Sequence, residues 1–299
     1  MTVQETTGLG PELSASRARQ PAASALEWPR SFWLVALLLA LLYLPVLAEN
    51  LTACLRSADF THCLLIPPLA LAVVWLRRGD IVSAGRNPRA RGLLIMAMGL
   101  GIMAMSYLFR ISFFGLWSLI PVLAGAVIAL HGLALWRVVS FPILYLFLAG
   151  PVPATLYAPI SMGIQSVSTG MAAWIMQSCG YVILRTGNQI EIPGYALEVA
   201  NVCSGFQKLI ALVAFALLYG YMLDISWRKR LLLVLATYPI AALANAIRIA
   251  GLVAVISAGG YPAFHTAHEY ADLLALVLCF GMFVLTGKML GCRKLRFLI

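Results

Sequence analysis

The sequence predicts an all-α polytopic membrane protein, with about eight transmembrane helices, an outer interfacial helix and a short β-like cap. Three observations predict it. Of 299 residues, 62% are apolar and 11% are charged, against roughly 25% charged in a soluble domain. Several apolar runs come close to the roughly 20 residues a helix needs to cross a bilayer, or exceed it. Most of the 21 Lys and Arg fall in segments that one topology puts on a single side, as the positive-inside rule requires. The net charge of +10 is therefore a topological signal, and no nucleic-acid partner is expected.

Residues 1–30 are rich in Pro, Ser, Ala and Arg and read as a disordered cytoplasmic arm. Residues 31–299 read as one membrane-embedded domain. Span one runs from Ser31 to Ala48; Val46-Leu47-Ala48 resembles a weak signal-peptide cleavage site, but the long polar arm before it and the many spans after it favour an uncleaved helix. The next spans are Thr61 to Leu76, Gly92 to Phe109, Leu116 to Leu135, and Val138 to Gly150. Spans six to eight are Ser204 to Leu223, Leu231 to Ala258, and Ala271 to Leu290.

Orientation follows from the basic groups. Arg17, Arg19 and Arg30 precede span one. Arg77, Arg78, Arg86, Arg89 and Arg91 separate spans two and three. Arg228, Lys229 and Arg230 separate six and seven, and Lys288, Arg293, Lys294 and Arg296 close the chain. With five spans before Cys203, all four groups face one side, and that side is the cytoplasm. This parity requires that Pro151 to Gly180 does not cross. The segment carries Ser161, Gln165, Ser166, Ser168, Thr169, Gln177 and Ser178, and reads as an amphipathic helix at the outer interface. Tyr181 to Arg185 and Gln189 to Ile192 flank a Gly187-Asn188 turn; Pro193-Gly194 makes a second turn, and Tyr195 to Ala200 returns toward the membrane. No fixed-period repeat, P-loop, dinucleotide fingerprint or HExxH is present.

Counting at about 1.5 Å per residue gives the depth of three chemically notable residues. Cys203 lies a full crossing before Arg228. Arg248 lies about 27 Å beyond Arg230, and His268 about 30 Å from Lys288. All three counts end at the outer interface. A thiol at the start of span six gains thiolate character from the helix dipole, and Asn201 or Ser204 can cap that start. His268 can take up and return a proton. Arg248 stays charged, so its role is to stabilise an oxyanion or hold a substrate carbonyl. A charge in an apolar span costs several kcal/mol unless paired or hydrated. Asn245 lies three residues earlier on the same helical face, and Lys208 is close to the thiol in sequence.

Plainer readings stand beside these. Cysteines are often buried small hydrophobes, and Arg248 can snorkel to the headgroups. His265 and His268 could share a face with Glu269 and Asp272 as a metal site, but the set is poor and no metal or organic cofactor is expected. His62 opens span two and reads as structural or substrate-facing; His131 reads as an interior mid-helix residue. Cys54, Cys63, Cys179, Cys203, Cys279 and Cys292 have no CxxC spacing, so neither a zinc site nor a disulfide framework is expected.

At these residues the chain resembles the exosortase/archaeosortase family. The resemblance runs from about Asp59 onward. It rests on Asp59-Phe60-Thr61-His62-Cys63, Phe141-Pro142-Ile143-Leu144-Tyr145-Leu146 through Pro151-Val152-Pro153, and Gly187-Asn188-Gln189-Ile190-Glu191-Ile192-Pro193. Cys203-Ser204-Gly205, Ala244-Asn245-Ala246-Ile247-Arg248 and His268-Glu269-Tyr270 complete it. Order and spacing together carry more than any single motif. The resemblance implies a membrane-embedded cysteine protease or transpeptidase. It would act on exported proteins that end in a Pro-Glu-Pro-like motif, one transmembrane helix and a basic tail. It implies Cys203 as nucleophile, Arg248 as the substrate-orienting or transition-state residue and His268 as acid/base. Asn245, Ser204, Gly205, His62 and His265 would be supporting or substrate-binding, and the active site would be extracytoplasmic. Three positions depart from the pattern: Asn201, where the family often has an acidic residue; Cys63, where it has glycine; and Ala271-Asp272, where it has a small pair. His265 remains a competitor for the imidazole role. The rival reading is a non-catalytic membrane component of a transport or exopolysaccharide-export system. The substrate, its acceptor (water, an amine or a lipid-linked group) and the oligomeric state are not legible.

Overall fold

The computed structural model describes residues 30–56, 62–150, 152–198 and 205–292. Nearly all of the amino-terminal arm, the segment holding Asn201, Cys203 and Ser204, and Arg293, Lys294 and Arg296 lie outside the described residues. The helices are α1 (Arg30–Arg56), α2 (His62–Leu76), α3 (Arg78–Ser83), α4 (Arg91–Phe109), α5 (Ser112–Leu130), α6 (Leu133–Tyr145), α7 (Ala154–Ser178), α8 (Phe206–Met222) and α9 (Trp227–Met289). A 3-10 turn, Leu146–Ala149, continues α6. Strands β1 (Leu184–Thr186), β2 (Gln189–Ile192) and β3 (Tyr195–Glu198) lie between α7 and α8.

The chain is a helical membrane protein. Among the described residues, four helices are long and apolar enough to cross a bilayer: α1, α4, α5 and α9; α2, α6 with its 3-10 turn, and α8 are shorter apolar helices. The outward faces are apolar too. On α1, Leu37, Leu38, Leu41 and Leu44 are all exposed, a belt that suits lipid and not water. A straight helix of α9's 63 residues would measure about 95 Å, roughly three bilayer cores. Gly260 prevents this. Its backbone (φ 68°, ψ −164°) is non-helical, in a region essentially reserved for glycine, and it divides α9 into arms 227–259 and 261–289. The arms fold back on each other, so Leu233 and Ile240 of the first share a core with Phe283 of the second.

Backbone contact joins α4 to α5. A Cβ on Gly92 would strike Ala129 and Gly125 backbone, one on Gly125 would strike Met96 and Gly92 backbone, and one on Gly99 would meet Val122 at 2.6 Å. Without a hydrophobic drive between helices in lipid, such small-residue seams permit the close packing that joins them. Helix α1 docks on this pair through the buried Tyr43, whose hydroxyl lies 2.8 Å from Ser118 Oγ.

Basic loops collect at one end of the bundle. Arg77, just after α2, donates to the carbonyl of Val138 at 3.0 Å and to the hydroxyl of Tyr221 at 2.9 Å, joining the ends of α2 and α8 to the start of α6. Arg86 donates to Leu130 O at 3.2 Å. Arg230 reaches back to Leu223 O at 3.3 Å, and the second arm of α9 ends beside Lys229. Among the described residues, the basic groups between α2 and α4 and between α8 and α9 thus share one end of the fold.

Several boundaries differ from expectation. α1 continues to Arg56 because nothing after Ala48 breaks it. Gly132 (φ 95°) stops α5, so His131 is a helix cap and not a mid-helix residue, and α6 begins at Leu133. The loop after α2 contains the short α3. The second arm of α9 begins at residue 261, not 271, which places His265 and His268 within the helix.

Helix α7 runs alongside the first arm of α9. Ile164 packs with Ala241 and Ala242, and Ala172 and Met176 pack with Ala246, Ile249, Ala250, Val253 and Ile256. Much of its polar stripe faces protein. Ser161, Gln165, Ser168 and Thr169 are buried, and Ser168 Oγ donates to Ala242 O at 3.1 Å. A stripe that serves helix packing cannot be told by period from one that faces headgroups, hence the interfacial reading.

The cap forms as expected. The three strands make an antiparallel meander in which Thr186 pairs with Gln189 and Ile192 with Tyr195; its turns use Gly187 (φ 63°) and Gly194 (φ 86°). Ile190 and Ile192 pack into the α7–α9 core. Arg185 pins the sheet to α7 by donating to Ser166 O at 2.9 Å.

Candidate active site

At the end of the bundle away from the basic loops, α8 and the two arms of α9 meet. Arg248 lies on the first arm, with its side chain 1% exposed. Its Nη2 donates to Asp272 Oδ2 on the second arm at 3.2 Å. Lys208, in the first turns of α8, donates to the other oxygen, Asp272 Oδ1, at 2.7 Å. One carboxylate therefore bridges two buried cations. The Arg248 guanidinium is held inward by this bridge and does not snorkel.

Asn245, three residues before Arg248, is fully buried. Gly205 lies against it with φ 79°; a Cβ there would come within 3.1 Å of Asn245 Cγ. This left-handed residue turns the chain into α8, and only glycine combines that conformation with so close an approach. Gly205 is two residues after Cys203, so the contact fixes the described residue nearest the thiol on the carboxyl side.

His268 lies one helical turn before Asp272 and half-buried, with its ring 5.6 Å from that of Phe264. His265 is exposed. Phe264 packs against the core that holds the cap strands, so a continuous path of contacts runs from cap to imidazole. His62 is the first residue of α2 and is buried, with Nε2 3.6 Å from Cys63 Sγ.

Between the arms of α9 lies an apolar cavity of about 780 Å³, lined among others by Arg248, Gly251, Leu252, Tyr270, Leu274 and Leu278. It brings apolar surface to the guanidinium.

The structure thus brings together Gly205, Asn245, Arg248 and the helical turn that carries His268. Cys203 and Ser204 lie outside the described residues. From the sequence alone the facing of Lys208 is open, and Asp272 reads only as a weak metal ligand and a departure from a pattern. A sufficient signal was present: Lys208, Arg248 and Asp272 are all charges in apolar segments, and such charges pair with one another.

No curated protein and no solved structure matches the chain. A family model described as transmembrane exosortase matches residues 54–285. That stretch runs from the end of α1 through the cap and α8 to the last turns of α9, and contains every residue of the site above. The chain belongs to the transmembrane exosortase family.

Proposed function

We propose that this protein is a cysteine transpeptidase or protease of the bacterial cytoplasmic membrane that cleaves a C-terminal sorting segment from exported proteins. In this reading the substrate ends in a short motif, an apolar helix and a basic tail. The basic tail stays with the basic loops on the cytoplasmic side. The apolar helix lies against the cleft between the arms of α9, which leads to Arg248. The Cys203 thiolate attacks the scissile carbonyl, and Arg248 stabilises the oxyanion. His268 takes the thiol proton and delivers it to the departing amine. The thioester then passes to water, an amine or a lipid-linked acceptor, which releases the product and restores the thiol.

The observation that carries this reading is the junction of three segments. The residue two after Cys203 rests on Asn245, while Arg248 bonds to the carboxylate of Asp272, one turn after His268. A scaffold for transport or polysaccharide export would have no need to gather a guanidinium, an imidazole-bearing turn and the glycine two residues after Cys203 at one junction.

The test is Cys203→Ala in cells that export a tagged reporter ending in such a sorting segment. The tail should remain attached while the variant is present at wild-type level. Unchanged processing would remove Cys203 from the reaction.

A further inference from the structure

We infer that Asp272 is the positioning residue of this site: its carboxylate aims the Arg248 guanidinium and locks the start of α8 to both arms of α9. The inference rests on the proposed transpeptidase reading and adds a residue to it. Each oxygen has a different partner, Oδ1 the Lys208 ammonium at 2.7 Å and Oδ2 the Arg248 guanidinium at 3.2 Å. Both cationic side chains are almost fully buried, at 6% and 1% exposure, whereas that of Asp272 is 46% exposed. The carboxylate is therefore the member of the trio that reaches the accessible side, and it holds the two cations inward.

Its place in the chain matters as much as its charge. Lys208 is five residues after Cys203, Arg248 is on the first arm of α9, and His268 is one turn before Asp272 on the second. From the second arm of α9, the Asp272 side chain accepts hydrogen bonds both from α8 and from the first arm. A guanidinium is planar, with donors in a fixed fork, so gripping one Nη sets the direction of the rest. A transition-state donor must be aimed within a few tenths of an ångström to be effective.

Charge compensation alone is the competing explanation, and the two can be separated. Lys208, Arg248 and Asp272 together carry one net positive charge. Asp272→Asn raises it to two; Asp272→Asn combined with Lys208→Met returns it to one, without restoring a carboxylate to Arg248. The experiment measures reporter processing by purified protein in lipid nanodiscs, with wild type and Cys203→Ala as the upper and lower references. A gap between those references tests the transpeptidase reading by itself. Given that gap, Asp272→Asn should lower turnover about 100-fold, with KM changed less than about threefold. Lys208→Met alone should cost less than about tenfold, and the double variant should stay as low as Asp272→Asn. Recovery of the double variant to within about tenfold of wild type would leave charge balance as the whole role and overturn the inference, as would an Asp272→Asn variant of near-normal turnover. Should either Asn variant fail to fold, Asp272→Glu keeps the charge and displaces the oxygens by one methylene. Turnover at least about tenfold down supports positioning, and wild-type turnover overturns it.

Discussion

The backbone of Gly205 rests directly on the side chain of Asn245: a methyl group on Gly205 would lie 3.1 Å from Asn245 Cγ and 3.2 Å from its Cβ. Gly205→Ala is therefore predicted to meet two penalties, a left-handed backbone costing about 1–2 kcal/mol and a contact that shifts Asn245. Reporter processing should fall at least about tenfold, and the melting temperature of the detergent-purified protein should drop. Wild-type processing by Gly205→Ala would show that this packing does not govern the site.

Arg248→Lys keeps the charge and loses the fork. An ammonium can still meet Asp272, but it cannot also present donors in a second fixed direction. Turnover is predicted to fall by about 100-fold or more with little change in melting temperature. A variant within threefold of wild type would reduce the role of Arg248 to that of a point charge.

The two histidines should separate cleanly. His268 is half-buried beside Phe264 and one turn from Asp272, whereas His265 is exposed. Loss of a general acid/base costs about 100-fold or more, so His268→Ala should be that severe and His265→Ala should stay within about threefold. The reverse ranking would transfer the imidazole role to His265.

Stability, as distinct from activity, should respond at the α4–α5 seam. Gly125 faces the backbone of Met96 and Gly92 with no room for a side chain, whereas nothing lies within 4 Å of a Cβ on Gly101. Gly125→Leu is predicted to cost about 1–3 kcal/mol or to part the helices. Gly101→Ala should be neutral or mildly stabilising through helix propensity. Thermal melts in one detergent compare the two directly.

Much of this was legible in the sequence because it depends on local chemistry. The Gly187-Asn188 and Pro193-Gly194 turns specify the cap, and the basic loops specify which helix ends lie together. Counting residues along spans seven and eight put Arg248 and His268 at one level, which matches the Arg248–Asp272 contact one turn from His268. What escaped depends on non-local packing. The polar residues of α7 gave no sign that Ser168 would bond to Ala242. The second arm of α9 starts ten residues before the expected Ala271, because the polar run Tyr261 to Tyr270 hides a helix whose beginning is fixed by the Gly260 backbone. Lys208 and Asp272 lie 64 residues apart, and their pairing follows only from asking where each charge in an apolar segment finds its counter-ion.

Gly260 stands midway between Arg248 and Asp272, twelve residues from each. The two legs of the hairpin are thus matched in length, and the ion pair is their registration mark. Adding or removing one residue in either leg would swing everything beyond it by about 100° around the helix axis, carrying the carboxylate or the guanidinium off the shared face. Point changes along these legs leave that registration intact. Changes of length do not, so outside Arg248, Gly260, His268 and Asp272 this stretch of the chain should tolerate substitution far better than insertion or deletion.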